Sequence, residues 1–529
     1  MYIDKLFING NIYTMKEEND KIEALGIKEG KIVFTGSNIE AAHLIDVASE
    51  VVDLEHQVII PGLTDSHMHL YAHCKNLEDV NLETARSIED VIDFMKRKTD
   101  KTAHGKWIKG VNFDDTKFSE GRLPTKTDLD KISIVHPVII RRSCLHVVCA
   151  NSLALSMAGV AKGYTPEING TVEYDFQGEP TGIVRERAIK VFDQIIPDSF
   201  NNREERKEAI FKVLSDISSR GLTTVHTYAA KLWKYEEDIT IYRELEKEGR
   251  LPVRVLVCLD EIFEKEDCNE INISRVNYGS YKLFVDGSLG ARSAALLEPY
   301  SDDQNNYGIL ICNQEELDNK MVKAYEKGMQ PAIHAIGDKA LEMTISSIEN
   351  VLKALPYNGQ RFRIIHAQLI NESLLERMKR LPLVVDVQPS FVSLDLHWIK
   401  DRLGESRLGQ RAYAWKTMLD AGLILTGGSD CPVVSYNPFE GIFSAVTRQD
   451  FKGYPEGGWY PEEKLSVYEA ICLFSKNAAY ASGEETIKGS IENGKLADFI
   501  ILDRDPFFIN PVDIPKVKVL KTFVGGEAS

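Results

Sequence analysis

No apolar run in this 529-residue chain approaches the roughly 18 residues that cross a bilayer. The opening Met1-Tyr2-Ile3-Asp4-Lys5-Leu6-Phe7 carries an acid early and no continuous apolar stretch, which is unlike a signal peptide. Positive charge is scarce as well: 63 Lys and Arg stand against 80 Asp and Glu, for a net charge of -17. That balance argues against a diffuse basic surface for nucleic acid or anionic membrane, and leaves small molecules as the expected partners. The eight cysteines (Cys74, Cys144, Cys149, Cys258, Cys268, Cys312, Cys431 and Cys472) include no Cys-x-x-Cys pair, so neither a disulfide framework nor a thiolate zinc site is expected. A reducing cytoplasm is the simplest expectation for compartment, and a homodimer, the commonest closed assembly, for quaternary structure.

What is present is enough apolar sequence, 43%, to bury a large core and a smaller one. The chain opens with short β-prone runs: Leu6 to Thr14 has Asn9-Gly10 between two of them, and Ala24 to Phe34 reads as a second hairpin. The end reads the same way, at Gly494 to Asp503 and Val517 to Val524. Residues 1–57 and 484–529 are therefore expected to form one small β-sandwich. Between them, over 58–483, strand-like runs alternate with helix-like stretches, which argues for an α/β fold with a parallel sheet. Six of these runs carry a polar or ionisable residue at or near their C-terminal end, where a (β/α)8 barrel, the TIM-like arrangement, puts its chemistry. The interval from about 71 to 215 breaks the rhythm, with a helix-like stretch (Ser87 to Lys101), a loop (His104 to Asp130), a β-run (His136 to Arg142) and a hairpin (Gly170 to Gly182). An insertion of that size after the first barrel strand is expected to be a lid or substrate-binding subdomain.

His67 and His69 stand one residue apart at the end of such a run, with Pro61-Gly62 before them. Residues i and i+2 of a strand share a face, so both imidazoles aim at one point, and neutral imidazole is a common ligand for divalent metals. In a chain with 12 histidines chance alone supplies roughly 0.3 such pairs, so the pair needs partners. Lys282, His334, His366 and Asp430 supply them, each ending a later run. For His334 and His366 the alternative is a satisfied core histidine, and for Asp430 a helix cap in Gly427-Gly428-Ser429-Asp430. Asp65 and Asp338, beside ligands, read as groups that hydrogen-bond around the site rather than bind metal.

With these residues stand Lys282-Leu283-Phe284-Val285-Asp286-Gly287-Ser288-Leu289-Gly290-Ala291-Arg292, His334-Ala335-Ile336-Gly337-Asp338, Ser429-Asp430-Cys431-Pro432-Val433 and Gly489 to Phe499. In this order they resemble the amidohydrolase superfamily of metal-dependent hydrolases, in the branch of YtcJ-like and N-substituted formamide deformylase-like proteins. The resemblance covers almost the whole chain. It implies that His67 and His69 bind one divalent metal, zinc or else manganese or iron, and that His334 and His366 bind a second. It also implies that Lys282 is N6-carboxylated and bridges them, the alternative being an unmodified lysine hydrogen-bonded within a one-metal site. Burial permits the modification by lowering the lysine pKa. The implied reaction is hydrolysis of a carbon–nitrogen bond in a small amide or formamide, with Asp430 both a ligand and the catalytic proton shuttle. A deaminase of a cyclic amidine and a non-catalytic sensor on the same barrel are the alternatives.

Five further residues are candidate substrate contacts: His226 at a strand end, His146 and Asn151 in a stretch similar to a family pattern, Arg292 and Trp107. Core packing is the alternative for His226 and Trp107, a surface ion pair for Arg292. Leu145, where the resemblance leads one to expect glycine, and Asn112-Phe113-Asp114, where it leads one to expect tryptophan, bear on substrate choice.

Overall fold

A computed structural model describes residues 2–77, 79–144, 146–166, 170–197, 200, 202–229, 235–262, 274–409 and 411–529. Eight parallel strands make the central sheet: β1 (Leu63–Met68), β2 (Leu222–Ala229), β3 (Arg254–Leu259), β4 (Val276–Phe284), β5 (Pro331–Ala335), β6 (Phe362–His366), β7 (Leu383–Val387) and β8 (Ile424–Gly427). Every residue of β1, β2, β3, β5, β6 and β7 is buried, as expected where side chains fill the barrel on one face and helices cover the other. The strands pair in sequence order, and β8 returns to β1 at the mouth, where the peptide N–H of Asp430 donates to His67 C=O and that of His69 to Cys431 C=O, both at 2.7 Å. Gly428 is what lets the two ends approach, since a Cβ there would lie 2.6 Å from the backbone nitrogen of His67. The result is a nearly closed (β/α)8 barrel.

The terminal segments fold into two sheets. One is four-stranded, in the order Lys31–Gly36, Ala24–Lys28, Ile3–Ile8, Ala48–Asp53; the other is six-stranded, in the order Glu527–Ala528, Val519–Val524, Phe499–Leu502, Val58–Pro61, Asn11–Tyr13, Lys21–Ile22. One apolar core draws on both, with Phe7 edge-on to Phe499 and Phe523 at 5.3 and 5.4 Å. Two local expectations change. Asn9-Gly10 does not close a hairpin: the runs on either side enter different sheets, and the chain turns at Asn9 with φ 55°. Val58–Pro61, grouped with the barrel from its apolar run, pairs antiparallel with Phe499–Leu502, so the chain enters the barrel only at Leu63.

Between β1 and β2 stands a mixed six-stranded sheet in the order Gly170–Tyr174, Pro180–Glu186, Val147–Ala150, Val138–Arg142, Ile108–Phe113, Val80–Asn81, with two apolar cores of its own. Helix Ile88–Thr99, capped by the Ser87 hydroxyl, covers one core. The strand Ile108–Phe113 lies within the stretch read as a loop, because Lys109, Gly110 and Asn112 mask its apolar positions. Gly110 has a packing reason, since a Cβ there would lie 2.7 Å from Met95 Sδ. Helix Arg203–Ser219, near the end of the interval, packs on β2 and so belongs to the barrel's outer layer.

The terminal sheets and the barrel are joined by a buried ion pair, in which Arg254 on β3 meets Asp498 through Nε (2.7 Å) and Nη2 (3.0 Å). Asp498 also accepts from the backbone N–H of Gly525 at 2.7 Å. Replacing Asp498 by Ala leaves a buried guanidinium unpaired, so a destabilisation of about 3–5 kcal/mol is expected by chemical denaturation; an unchanged unfolding midpoint would refute this role.

Candidate metal centre

β1 delivers His67 with no exposed surface and His69 just past its end, while Met68 between them packs into the apolar layer outside the barrel. Asp430 closes on both: its Oδ1 lies 3.0 Å from His67 Nε2 and 3.2 Å from His69 Nε2. Lys282, on β4, is buried with Nζ 3.4 Å from His67 Nε2 and over the rings of Tyr228 (4.6 Å) and Phe284 (4.9 Å). His334 on β5 and His366 at the end of β6 meet at 3.1 Å, Nδ1 to Nε2. The structure thus brings all six residues together at the C-terminal mouth of the barrel. Donor atoms of His67, His366 and Asp430 lie within 4.8 Å of one another.

The hydrogen bonds around the two later histidines bear on what they hold. His366 Nδ1 lies 2.5 Å from Gln388 Oε1, and His334 Nε2 lies 3.1 Å from Gly287 C=O. Each acceptor requires an N–H, so a neutral ring in either place turns a lone pair toward the other at 3.1 Å. Neither ring is readily protonated: burial pulls His366 down to about 4, and burial with His366 and Lys282 nearby holds His334 well below its ordinary value. Two facing lone pairs repel, and a cation between or beside them removes the repulsion. His67 meets Asp430 and Lys282 through Nε2. The imidazole and carboxylate donors, spaced 3.0–3.2 Å apart where they meet, match the separation of about 3–4 Å expected for ligands sharing a zinc-sized ion. These residues fit a divalent metal.

Burial lowers the Lys282 ammonium to about 7, so part of it is free amine at neutral pH. Burial pushes Asp430 the other way, but His67, His69 and His366 outweigh it and hold the carboxyl well below the usual range. Asp430 has φ 57°, His366 79° and Ala367 44°, left-handed conformations that non-glycine residues adopt only under constraint. Asp65 supplies part of that constraint: its carboxylate accepts from the N–H groups of His67 and Ser429, both at 3.0 Å, and from the Ser429 hydroxyl at 2.5 Å. Asp338 accepts from Leu297 N–H at 2.9 Å, and neither acid belongs to the donor cluster.

Above the cluster the cavity has two lobes. The larger, about 250 Å³, runs past Val111, Ile139, Ile196 and Phe284 to two ion pairs, Lys109–Asp79 (2.8 Å) and Arg141–Asp193 (2.7 Å). The smaller, about 80 Å³, runs toward Asp114, Arg142, Asp395 and Trp398. Both are lined by Cys144, His146, His334, His366, Asp430 and Val433.

Of the five expected substrate contacts, only His146 reaches this cavity. Asn151 is fully buried inside the insertion, its Oδ1 accepting from Val138 and Ala154 N–H and its Nδ2 donating to Ser133 and His136 C=O, which satisfies the whole amide. Arg292 is drawn away by a forked pair with Asp302, at 3.0 and 2.8 Å. Trp107 packs against an apolar core of the insertion. His226 lies in the barrel interior with Nδ1 3.3 Å from Arg363, which is itself paired with Asp386. Leu145 falls outside the described residues; Phe113 is buried in the insertion core and Asp114 lines the smaller lobe. Sequence reasoning gave no role to Gln388, Tyr228 or Glu186. Gln388 stands just past the end of β7, a position where barrels carry functional groups, so its place was the available signal.

Parallel strands around a histidine, lysine and carboxylate cluster at their C-terminal ends define a metal-dependent hydrolase. The chain belongs to the amidohydrolase family, whose profile, described as "Amidohydrolase family", matches residues 50–528. It is 34% identical to "Putative amidohydrolase YtcJ" of Bacillus subtilis (strain 168), over 98% of each chain. It is 27% identical to the N-substituted formamide deformylase of Arthrobacter pascens, over 99% of this chain and 97% of that one. Both lie in the branch expected from the motifs. The crystal structure of an uncharacterized metal-dependent hydrolase from Pyrococcus horikoshii OT3 superposes with a TM-score of 0.75 at 30% identity, covering 96% of this chain and 99% of that one.

If Gln388 orients His366 toward a metal, Gln388→Leu is expected to weaken metal affinity about 10- to 100-fold in chelator competition while the far-UV spectrum is kept. Unchanged affinity would remove Gln388 from the centre.

Proposed function

We propose that the protein hydrolyses a carbon–nitrogen bond in a small amide or N-substituted formamide. The observation that carries this reading is the convergence of His67, His366 and Asp430 donors within 4.8 Å at the barrel mouth, beside Lys282. His67, His69, His334 and His366 would hold one or two divalent cations, zinc or else manganese or iron, with Lys282, N6-carboxylated, and Asp430 completing the set. Such a cation acidifies water and polarises a carbonyl carbon.

The remaining steps belong to the chain. Asp430 stays ionised, accepts the proton released as water attacks, and delivers it to the leaving nitrogen when the tetrahedral species collapses. A carboxylate held this far down is a weak base, so it suits water that has already been acidified. His146, lining both lobes, contacts the substrate where they meet. The apolar wall of Val111, Ile139 and Phe284 takes the substrate's hydrocarbon part and excludes bulk water from the bond. Similarity to the N-substituted formamide deformylase supports the amide class, although fold alone does not fix a substrate.

The test is a panel of N-formyl and N-acetyl amines, formanilide and acetanilide among them, scored for released amine and acid. Asp430→Asn is expected to lower kcat by about 10²- to 10⁴-fold, and His67→Ala to remove bound metal and turnover together. Ammonia release from cyclic amidines in place of amide cleavage would make the protein a deaminase. Saturable binding without turnover at full metal occupancy would make it a sensor, and wild-type kcat in Asp430→Asn would remove the shuttle.

A further inference from the structure

His146 is carried by the insertion, yet it stands where the two lobes meet, its ring centroid 5.6 Å from that of His334. Its Nδ1 is committed, lying 2.8 Å from Glu186 Oε2. The two residues are also joined through the backbone, the N–H of Glu186 donating to His146 C=O at 3.1 Å. Only Nε2 is left to face a substrate.

Glu186 is unusual in three respects. Its carboxylate is almost fully buried, with 2% of the side chain exposed. It ends the strand Pro180–Glu186 at φ 54° and ψ -136°, a conformation L-residues hold only when their surroundings enforce it. Its second oxygen is turned toward the barrel: a Cβ on Gly287 would lie 2.4 Å from Oε1, so the glycine makes the approach possible. The carbonyl of that same Gly287 holds His334 Nε2 at 3.1 Å. One carboxylate therefore touches the insertion's histidine and also the loop that orients a residue of the metal centre. A pair serving only to join the two insertion strands would be redundant, since the ladder from Val147 to Cys149 against Ile183 to Arg185 already fixes them.

We infer that Glu186 is a positioning residue, which fixes the ring of His146 so that Nε2 is presented to the substrate above the metal cluster and couples the insertion to the loop that holds His334. In its catalytic consequence the inference rests on the hydrolase reading; in its structural consequence it does not. The carboxylate as acceptor requires the proton on Nδ1, which sets the ring plane and the chemical state of the opposite nitrogen. It plays a part like that of the third group that orients a histidine in other hydrolytic sites.

The experiment is a double-mutant cycle of Glu186→Ala and His146→Ala, read as kcat/KM on the amide of the panel that is cleaved fastest, with bound metal and melting temperature measured for every variant. Each single change is expected to lower kcat/KM by about 100-fold with metal content unchanged, and Glu186→Ala to cost less than about twofold once His146 is already Ala. A loss from Glu186→Ala that is as large in the His146→Ala background as in the wild type would overturn the inference, because it would mark a merely structural role. Glu186→Leu, of similar size and without an acceptor, keeps the test usable should Glu186→Ala fail to fold. Crystal structures of wild type and variant provide a readout independent of turnover: the His146 ring is expected to leave its place while His67, His334 and His366 keep theirs. If no amide is cleaved the hydrolase reading fails, and the ring position still decides the role of Glu186; a ring that stays in place overturns it.

Discussion

Between β1 and β8 the barrel closes over two peptide hydrogen bonds, Asp430 N–H to His67 C=O and His69 N–H to Cys431 C=O, and the positions of His67, His69 and Asp430 follow from that seam. The seam brings together segments separated by 364 positions, Asp65 and Ser429, whose side chains bond directly. It has room only because residue 428 is glycine. Side chains borne by β1 then meet a carboxylate borne by the end of β8 at 3.0–3.2 Å without any long flexible arm. A site assembled from backbone geometry in this way is positioned before substrate arrives.

The same seam shows why the candidate cluster was legible in sequence. A polar residue at the end of a parallel strand is announced by its own strand, which is a run of a few apolar residues followed by His, Lys or Asp. Each of the six can therefore be found locally, and the barrel gathers them. The helix Ile88–Thr99 was legible for a similar reason, through its serine cap and apolar spacing. The strand Ile108–Phe113 was hidden because its glycine answers to Met95 and Leu82, and its polar residues Lys109 and Asn112 to Asp79 and Asn81, none of which the local sequence shows. Asn9-Gly10 carries a hairpin signature, but sheet membership is decided by long-range pairing with Ala48–Asp53 and Val58–Pro61. The four misplaced substrate contacts failed in the same manner. Asn151 looks like a free polar group until its four partners, up to 18 positions away, are seen to satisfy it, and Arg292 until Asp302 is.

The insertion and the barrel divide the labour. The barrel supplies donors that any amidohydrolase chemistry could use, and the insertion supplies most of the far walls: Lys109, Val111, Ile139 and Arg141 in the larger lobe, Asp114 and Arg142 in the smaller. The lobes differ in volume about threefold. The larger lobe is lined by Lys109 and Arg141, each paired with an acid, and also by Lys75.

Part of the backbone strain falls where these two parts meet the chemistry. His366, Ala367, Asp430 and Glu186 all hold positive φ without being glycine, at a cost of about 1–3 kcal/mol each. At His366, Asp430 and Glu186 a glycine would relieve the backbone but delete the imidazole or carboxylate, so the strain at these three is tied to the side chain that must be there. Each is held by contacts on both sides: Gln388 grips the His366 ring, the β1–β8 seam grips Asp430, and His146 and the Gly287 loop grip Glu186. Removing such a grip would let the backbone relax toward an ordinary conformation and carry the functional atom with it. Residues that never touch a substrate can therefore set the geometry of those that do.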